Sequence, residues 1–315
     1  MNSMHRHRLA GISAALAAGV LAVTGCSAGD SATGGTGTRV APALEPAYAA
    51  AKIRTLPIEE YVLSSAEYVK IMKARVRLDA RCMSDFGFTA FASPDVPQAD
   101  PRDSFTADRY GVEDAVQAAQ YGYHPSPAVR AFAEAAPEPS LPADQELVLT
   151  GLAAERSGTT ALRAAPRSFK GKAIPAGGCV GQSTRHLTGG SDELYPDLPQ
   201  DINAQSYFKA KEDPRVRDVF AAWSTCMKDK GFTYSDPMQA NDDPRFALPT
   251  ASPAEIATAT ADVACKISTD LVGVWFRTEA EIQESLIGAK QTKLAPMKET
   301  KQAALVNAST VLAGN

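Results

Sequence analysis

The chain has 315 residues, 44% of them hydrophobic and 22% charged, with a net charge of −4. That is enough apolar material for a sizeable core in one large domain or two small ones. An acidic chain without a long basic run argues against nucleic acid as a partner, because nucleic acid is gripped by neutralising its phosphates. An aromatic share of 7%, with two Trp, argues against a carbohydrate surface built mainly from aromatic platforms.

The N-terminus reads as an export signal. Met4 to Arg8 is basic, and Leu9 to Val23 is an apolar run too short for a comfortable membrane span. Val23-Thr24-Gly25-Cys26 then fits the lipobox pattern: an aliphatic residue, two small residues, and a Cys. Small residues let a signal peptidase take the backbone in extended form, and the Cys26 thiol accepts a diacylglyceryl group. The expected partner of this end is the membrane, reached through the lipid on Cys26. Residues 1–25 hold Arg6 and Arg8 and no acid, so their removal leaves 30 basic and 36 acidic residues, a net −6. Residues 26–56, rich in Gly, Ser, Thr, Ala and Pro, read as a flexible tether.

Four Cys remain, Cys82, Cys179, Cys226 and Cys265. An even number in an exported chain reads as two disulfides. The wide spacings do not resemble zinc ligation, which needs close pairs.

The first helix is predicted from about Ser65 to Asp85. Ser64-x-x-Glu67 is a capping box, Tyr68, Ile71, Met72, Leu78 and Cys82 form the apolar face, and Gly87 ends it. A long insert follows. It holds Arg109-Tyr110-Gly111, a short helix from Glu113 to Gln120, and Tyr121-Gly122-Tyr123-His124. Next come an Ala/Pro/Glu-rich stretch from Pro127 to Pro142 and Leu147 to Leu162, read as a helix or a surface segment. Val180 to Leu187 is a short helical pattern after Cys179. Residues 188–201 read as an acidic loop.

Asp213-Pro214 then opens a second strong helix, with Val216, Val219, Phe220, Trp223, Cys226 and Met227 as its stripe and Gly231 as its C-cap. Ser252-Pro253-Ala254-Glu255 is a further capping box, and Ile256, Val263, Ile267, Leu271 and Val274 continue that helix past Cys265. Trp275 to Leu312 is mostly helical, with Pro296 expected to kink or break it. Strand signals are confined to Phe88–Phe91 and Phe232–Tyr234.

Two stretches repeat. Cys82-Met83-Ser84-Asp85-Phe86-Gly87-Phe88-Thr89 and Cys226-Met227-Lys228-Asp229-Lys230-Gly231-Phe232-Thr233 agree at six of eight positions. Each follows a helix and precedes irregular chain, so the unit is a duplicated helix and turn. Four Cys allow three pairings, and the repeat selects Cys82 with Cys179 and Cys226 with Cys265. The predicted fold is mainly α: a disulfide-stapled helical domain of two diverged helix–turn–loop–helix repeats with a long C-terminal helix and little β. Its stretches are 1–25 signal, 26–56 tether, 57–200 first repeat with insert, and 201–315 second repeat and C-terminal helix.

The lipobox, W-x-x-C-M-x-x-x-G-F (Trp223 to Phe232), Y-G-Y-H (Tyr121 to His124) and G-G-C-x-G (Gly177 to Gly181) resemble a group of uncharacterised actinobacterial secreted lipoproteins. The resemblance covers most of the mature chain, and it implies no particular activity.

No catalytic set is complete. Beyond the signal only His124 and His186 remain. G-x-S-x-G is absent, since Gly181 to Arg185 lacks the closing Gly, and H-E-x-x-H is absent too. Ser206 to Lys209 matches S-x-x-K without its partner motifs. Asp192, Glu193, Asp197 and Asp201 lack the order of a calcium loop. No phosphate loop or dinucleotide motif is present, so no cofactor and no metal are expected. Tyr110, Tyr121, Tyr123 and His124 form the exposed recognition candidate, because amphipathic rings suit polar ligands. The competing reading is that these rings wedge the insert onto the helices. The expectation is a non-enzymatic binding or interaction role at the cell envelope, toward a protein, peptide or cell-wall partner. A cell-wall hydrolase or transferase with a carboxylate site and a solute-binding lipoprotein are the alternatives.

Overall fold

Ser64 opens the first long helix as its sequence dictates. In this computed structural model its hydroxyl accepts from the Glu67 N–H at 3.2 Å, and the Glu67 carboxylate accepts from the Ser64 N–H at 2.9 Å. The capping box thereby satisfies donors that the helix itself leaves unpaired. The structure describes residues 54–91, 93, 95–96, 98–100, 102, 104–133, 141–152 and 168–314, all within a unit that spans 41–315. The lipobox, Cys26 and the tether as far as residue 53 lie outside the described residues, as does most of the Leu147–Leu162 segment.

A 3-10 turn, Pro57–Glu60, leads into α1, Ser65–Asp85. The insert carries three short helices: α2, Ala115–Tyr121; α3, Pro127–Ala133; and α4, Ala143–Thr150. A two-stranded antiparallel hairpin follows, β1 Ser168–Phe169 with β2 Lys172–Ala173, pairing Phe169 with Lys172. Then come α5, Gly178–Thr188; α6, Asp197–Glu212; α7, Pro214–Asp229; α8, Pro237–Asn241; α9, Pro253–Thr269; and α10, Leu271–Ala313. The fold is mainly α, as predicted.

The two motif turns have the same geometry. Phe86 and Lys230 both sit at φ −93°, ψ 4°. Gly87 and Gly231 follow at φ 90° and 87°, the left-handed region that favours glycine. The Phe88 N–H returns to the Met83 carbonyl at 3.1 Å, and the Phe232 N–H to the Met227 carbonyl at 2.9 Å. This is a Schellman cap. It explains why Phe88–Phe91 and Phe232–Tyr234 are not strands, contrary to expectation: their first N–H groups already close the preceding helix. Among the described residues, the strands lie in the hairpin at 168–173 instead.

Cys82 is bridged to Cys179 and Cys226 to Cys265, each pair with Cα atoms 5.7 Å apart. The bridges span 97 and 39 residues, and closing such loops stabilises by about 4 to 5 kcal/mol each in the chain-entropy model. A buried polar contact accompanies each bridge, three residues before the motif Cys. In the first copy the Ser183 hydroxyl donates to Asp79 at 2.6 Å. In the second the Trp223 indole N–H donates to Asp262 at 2.9 Å. The copies diverge in their second helices. Cys179 lies in the first turn of α5, whereas Cys265 lies near the end of α9.

Helix α10 spans 43 residues, about 65 Å at 1.5 Å per residue. Leu271, Val272 and Trp275 pack with Val216, Phe220, Trp223 and Met227 of α7. Leu294 packs with Leu56, Ile58 and Tyr61 of the 3-10 turn and Ile202 of α6. Ala304, Ala308 and Val311 pack with Ile71 and Ala74 of α1 and Leu187 of α5. One helix therefore closes the core of both copies.

Three boundaries differ from the sequence reading. Pro296 lies inside α10 and does not end it. The ring is exposed, and Leu294 and Met297 anchor the helix on either side. The periodicity from Ile256 to Val274 is divided in two at Asp270, which is left-handed at φ 51°. Its carboxylate folds over the start of α10, where a Cβ on Gly273 would come within 2.1 Å of it. Residues 197–201 belong to α6 and not to a loop. The apolar signal of α6 is thin, since its buried residues are Pro199, Ile202, Ser206 and Ala210.

No neighbouring atom lies within 4 Å of a Cβ added at Gly87 or Gly231, so only backbone conformation resists substitution there. Gly87→Ala and Gly231→Ala should each lower stability by about 1 kcal/mol, equally in the two copies, as measured by urea unfolding.

Candidate functional site

The four recognition candidates do not form one exposed cluster. Tyr110 is fully buried, which corrects the expectation for that residue. Its hydroxyl donates to Glu279 Oε2 at 2.9 Å. Burial pushes the phenol far above its ordinary pKa, and the Glu279 charge adds to the effect.

Glu279, on α10, has no exposed surface. It is surrounded by donors. Arg109 Nε lies 3.1 Å from both carboxylate oxygens, and Arg109 Nη2 pairs with Oε1. The Ser206 hydroxyl is 3.0 Å from Oε1, and Gln283 Nε2 donates to that hydroxyl at 2.9 Å. Gln283 Oε1 in turn accepts from the Ile58 N–H at 3.0 Å. Arg109 also reaches the Asn203 carbonyl at 3.1 Å and lies over the Tyr207 ring at 5.0 Å. This network fastens the insert, the 3-10 turn, α6 and α10 together. It also disposes of the S-x-x-K match, since Ser206 is buried against Glu279 while Lys209 is exposed.

Tyr123 and His124 meet a second buried carboxylate. Glu255 accepts from the Tyr123 N–H at 2.9 Å, and His124 Nδ1 lies 2.7 Å from the same oxygen. His124 Nε2 lies 2.6 Å from the Leu248 carbonyl. The turn comes this close because Gly122 has no Cβ; one added there would sit 2.6 Å from Glu255 Oε1. The capping box predicted at Ser252 is consequently half formed. The Ser252 hydroxyl accepts from the Glu255 N–H at 3.2 Å, while the Glu255 carboxylate turns away to the 122–124 turn. The Tyr123 ring stacks on Phe246 at 5.8 Å. Burial raises its phenol far above the ordinary value, and the charge of Asp262 raises it further. Asp262 is paired with Lys266 at 3.0 Å, and Lys266 donates to the Val112 carbonyl at 2.9 Å. Tyr121 is half-buried at the end of α2. Both His124 ring nitrogens are thus committed to structural acceptors, and His186 stands exposed on α5.

Of the acidic loop, Asp192 pairs with Arg185 at 2.7 Å, and Asp201 lies exposed on α6. Among the described residues no group of His, Cys, Asp and Glu is arranged to hold a metal ion.

A cleft of about 440 Å³ lies between the 3-10 turn, the start of α1, α10 and the chain near residue 104. It is the candidate ligand site. Ser64, Ser65 and Ser104 supply hydroxyls, Glu59, Glu67 and Asp100 supply carboxylates, and Phe105, Val62 and Leu63 supply apolar wall. Each carboxylate has an internal partner. Glu59 accepts from the Leu56 N–H at 2.6 Å, Glu67 from Lys301 at 3.0 Å, and Asp100 from Arg102 at 2.7 Å. Burial holds the Glu59 carboxyl above its ordinary value. Burial also acts on Asp100, but the hydrogen bonds from Arg102 outweigh it and hold that carboxyl low. Lys301 is fully engaged, since it also donates to the Glu59 and Val62 carbonyls. Such a cleft can bind a polar ligand through hydroxyls and carboxylate edges. The sequence reading missed it because its walls come from residues 242 positions apart, as in the Lys301 to Glu59 contact.

Glu279→Ala should destabilise by about 3 to 5 kcal/mol in urea unfolding, because it strands the Arg109 guanidinium. Joint replacement of Arg109 and Glu279 by Met should recover most of that loss. Asp79 gives a pH test. Burial raises its pKa in the folded state, so the folded chain binds its proton more readily than the unfolded chain, and stability falls as pH rises above the unfolded value of about 3.9. Asp79→Asn should stabilise at neutral pH, and the gain should vanish below about pH 4, as read from unfolding curves across pH.

No protein-family model, no curated protein and no solved structure matches the chain.

Proposed function

We propose that the chain is a lipid-anchored protein of the extracytoplasmic face of the cell membrane, with a non-enzymatic binding role at the cell envelope. The observation that carries this reading is the division of the five Cys. Four are joined in two bridges, which suits an oxidising compartment. The fifth, Cys26, stands at the lipobox, where its thiol takes the lipid. No helix among the described residues is long and apolar enough to cross a membrane, so attachment in this reading rests on Cys26. Descent from the actinobacterial lipoprotein group that its motifs resemble is part of the same proposal.

On the ligand side, the cleft beside α1 is the binding site. Its hydroxyls and carboxylates suit a polar component of the envelope. Binding is preferred to hydrolysis because each carboxylate lining the cleft is held by an internal donor. A glycosidase of the usual kind needs one acid and one free base or nucleophile facing each other.

The anchor is tested by mass spectrometry of membrane fractions from cells expressing the chain. Cys26 should carry a diacylglyceryl group, and Cys26→Ala should release the chain from the membrane. An unmodified Cys26 in the membrane fraction would sink the reading.

A further inference from the structure

The outer face of α1 carries a basic stripe inside an acidic protein. Lys70, Lys73, Arg77 and Arg81 follow at spacings of three, four and four, which places them on one side of the helix over about 16 Å. Lys73, Arg77 and Arg81 are exposed, and Lys70 is half-buried. Among the described residues none of the four is paired with a carboxylate. Of the acids of α1, Asp79 is buried against Ser183 and Glu67 is bound to Lys301, while exposed Asp85, one turn beyond Arg81 on the same side, closes the C-terminal end of the stripe.

The flank of the stripe toward the end of α10 is uncharged. Arg77 donates to the Leu312 carbonyl at 2.9 Å, so the end of α10 lies alongside. From Gln302 to Gly314 that end has no ionisable side chain, and Val306 on it is 65% exposed. A row of cations next to a neutral, partly apolar flank is the pattern of a surface that rests on lipid headgroups. Anionic lipid attracts such a row and repels the rest of a chain whose net charge without the signal is −6. The same field therefore binds and orients.

We propose that the Lys70–Arg81 face of α1 is a docking surface for the anionic lipid headgroups of the membrane. In the anchored protein it turns the cleft at the start of α1 to a fixed position above the bilayer. The orienting role rests on the lipid-anchor reading; the lipid affinity of the face does not.

The test uses the unlipidated chain from Ser27 onward, which contains the whole described body, in sedimentation with two kinds of vesicle. One is phosphatidylcholine alone and the other a mixture with phosphatidylglycerol. Binding should appear only on the mixture and weaken with added salt. Lys73→Gln and Arg81→Gln should each weaken it about fivefold. Both residues are exposed, so circular dichroism should be unchanged. Absence of binding to the anionic vesicles at low salt, or equal binding by the double variant, would overturn the proposal. So would tighter binding of soluble polyphosphate than of the vesicles, which would assign the stripe to a free polyanion. Because the protein carries no lipid, none of these outcomes depends on whether Cys26 is acylated.

Discussion

Neither half of this protein can cover its own apolar face, and α10 is the surface on which both halves do so. Its first turns close the core around Trp223 and Trp275, its middle takes the 3-10 turn and α6, and its last turns cover α1 and α5. An amphipathic helix is stable mainly through what its apolar stripe is packed against. The disulfides staple each copy locally, but each staple joins only two helices. The 43-residue helix supplies the third wall to both pairs at once. Two helix pairs with differently placed second helices are thus closed by one wall, each on its own stretch of α10.

Packing alone would leave helices free to slide, and buried polar groups remove that freedom. Glu279 receives Arg109, Tyr110 and Ser206 from the insert and from α6. Glu255 receives the 122–124 turn. Asp79 and Asp262 each take one donor from the partner helix of their copy. Moving any of these helices by a turn would strand a charge in the interior, at a cost of several kcal/mol. Buried ion pairs add little net stability over apolar packing, so their contribution here lies in register. The insert is fixed by two of them together with the packing of Val112 and Ala118 on Ala259 and Val263, and of Val148 and Leu149 on Met83 and Phe86.

What could be read in the sequence was what is encoded locally. The Ser64 capping box, the Asp213-Pro214 start, the glycine caps and the motif cysteines depend on residues within a turn or two of one another, and the structure contains each of them. What could not be read depends on distant partners. Glu255 has the spacing of a capping box, yet its carboxylate faces a turn more than 130 residues away. Tyr110 looks like an exposed ring until Glu279 is placed beside it. Helix α6 escaped because a Ser and an Ala fill two positions of its buried stripe, so its period is not written in large apolar residues. The break at Asp270 escaped because the apolar pattern runs through it, and only the close approach to Gly273 shows why the chain turns there. The lining of the cleft falls in the same class, assembled from opposite ends of the chain.

The two halves with the matching turns also differ in how their apolar residues are distributed. The second copy holds both tryptophans and the largest apolar cluster, and its bridge spans 39 residues. The first copy has its apolar residues divided among smaller clusters, and its bridge spans 97 residues. A long loop costs only slightly more to close than a short one, so the first copy could accept an insert without losing its staple. The ligand cleft and the basic face of α1 both belong to that first copy. Both features depend on a wall that keeps α1 in place. Here that wall is the C-terminal half of α10, whose contact with α1 uses Ala304 and Ala308, small residues that bring the two helices close. Bulkier residues there would push α1 outward and open the cleft, so the close approach of α1 to α10 sets the shape of the candidate site.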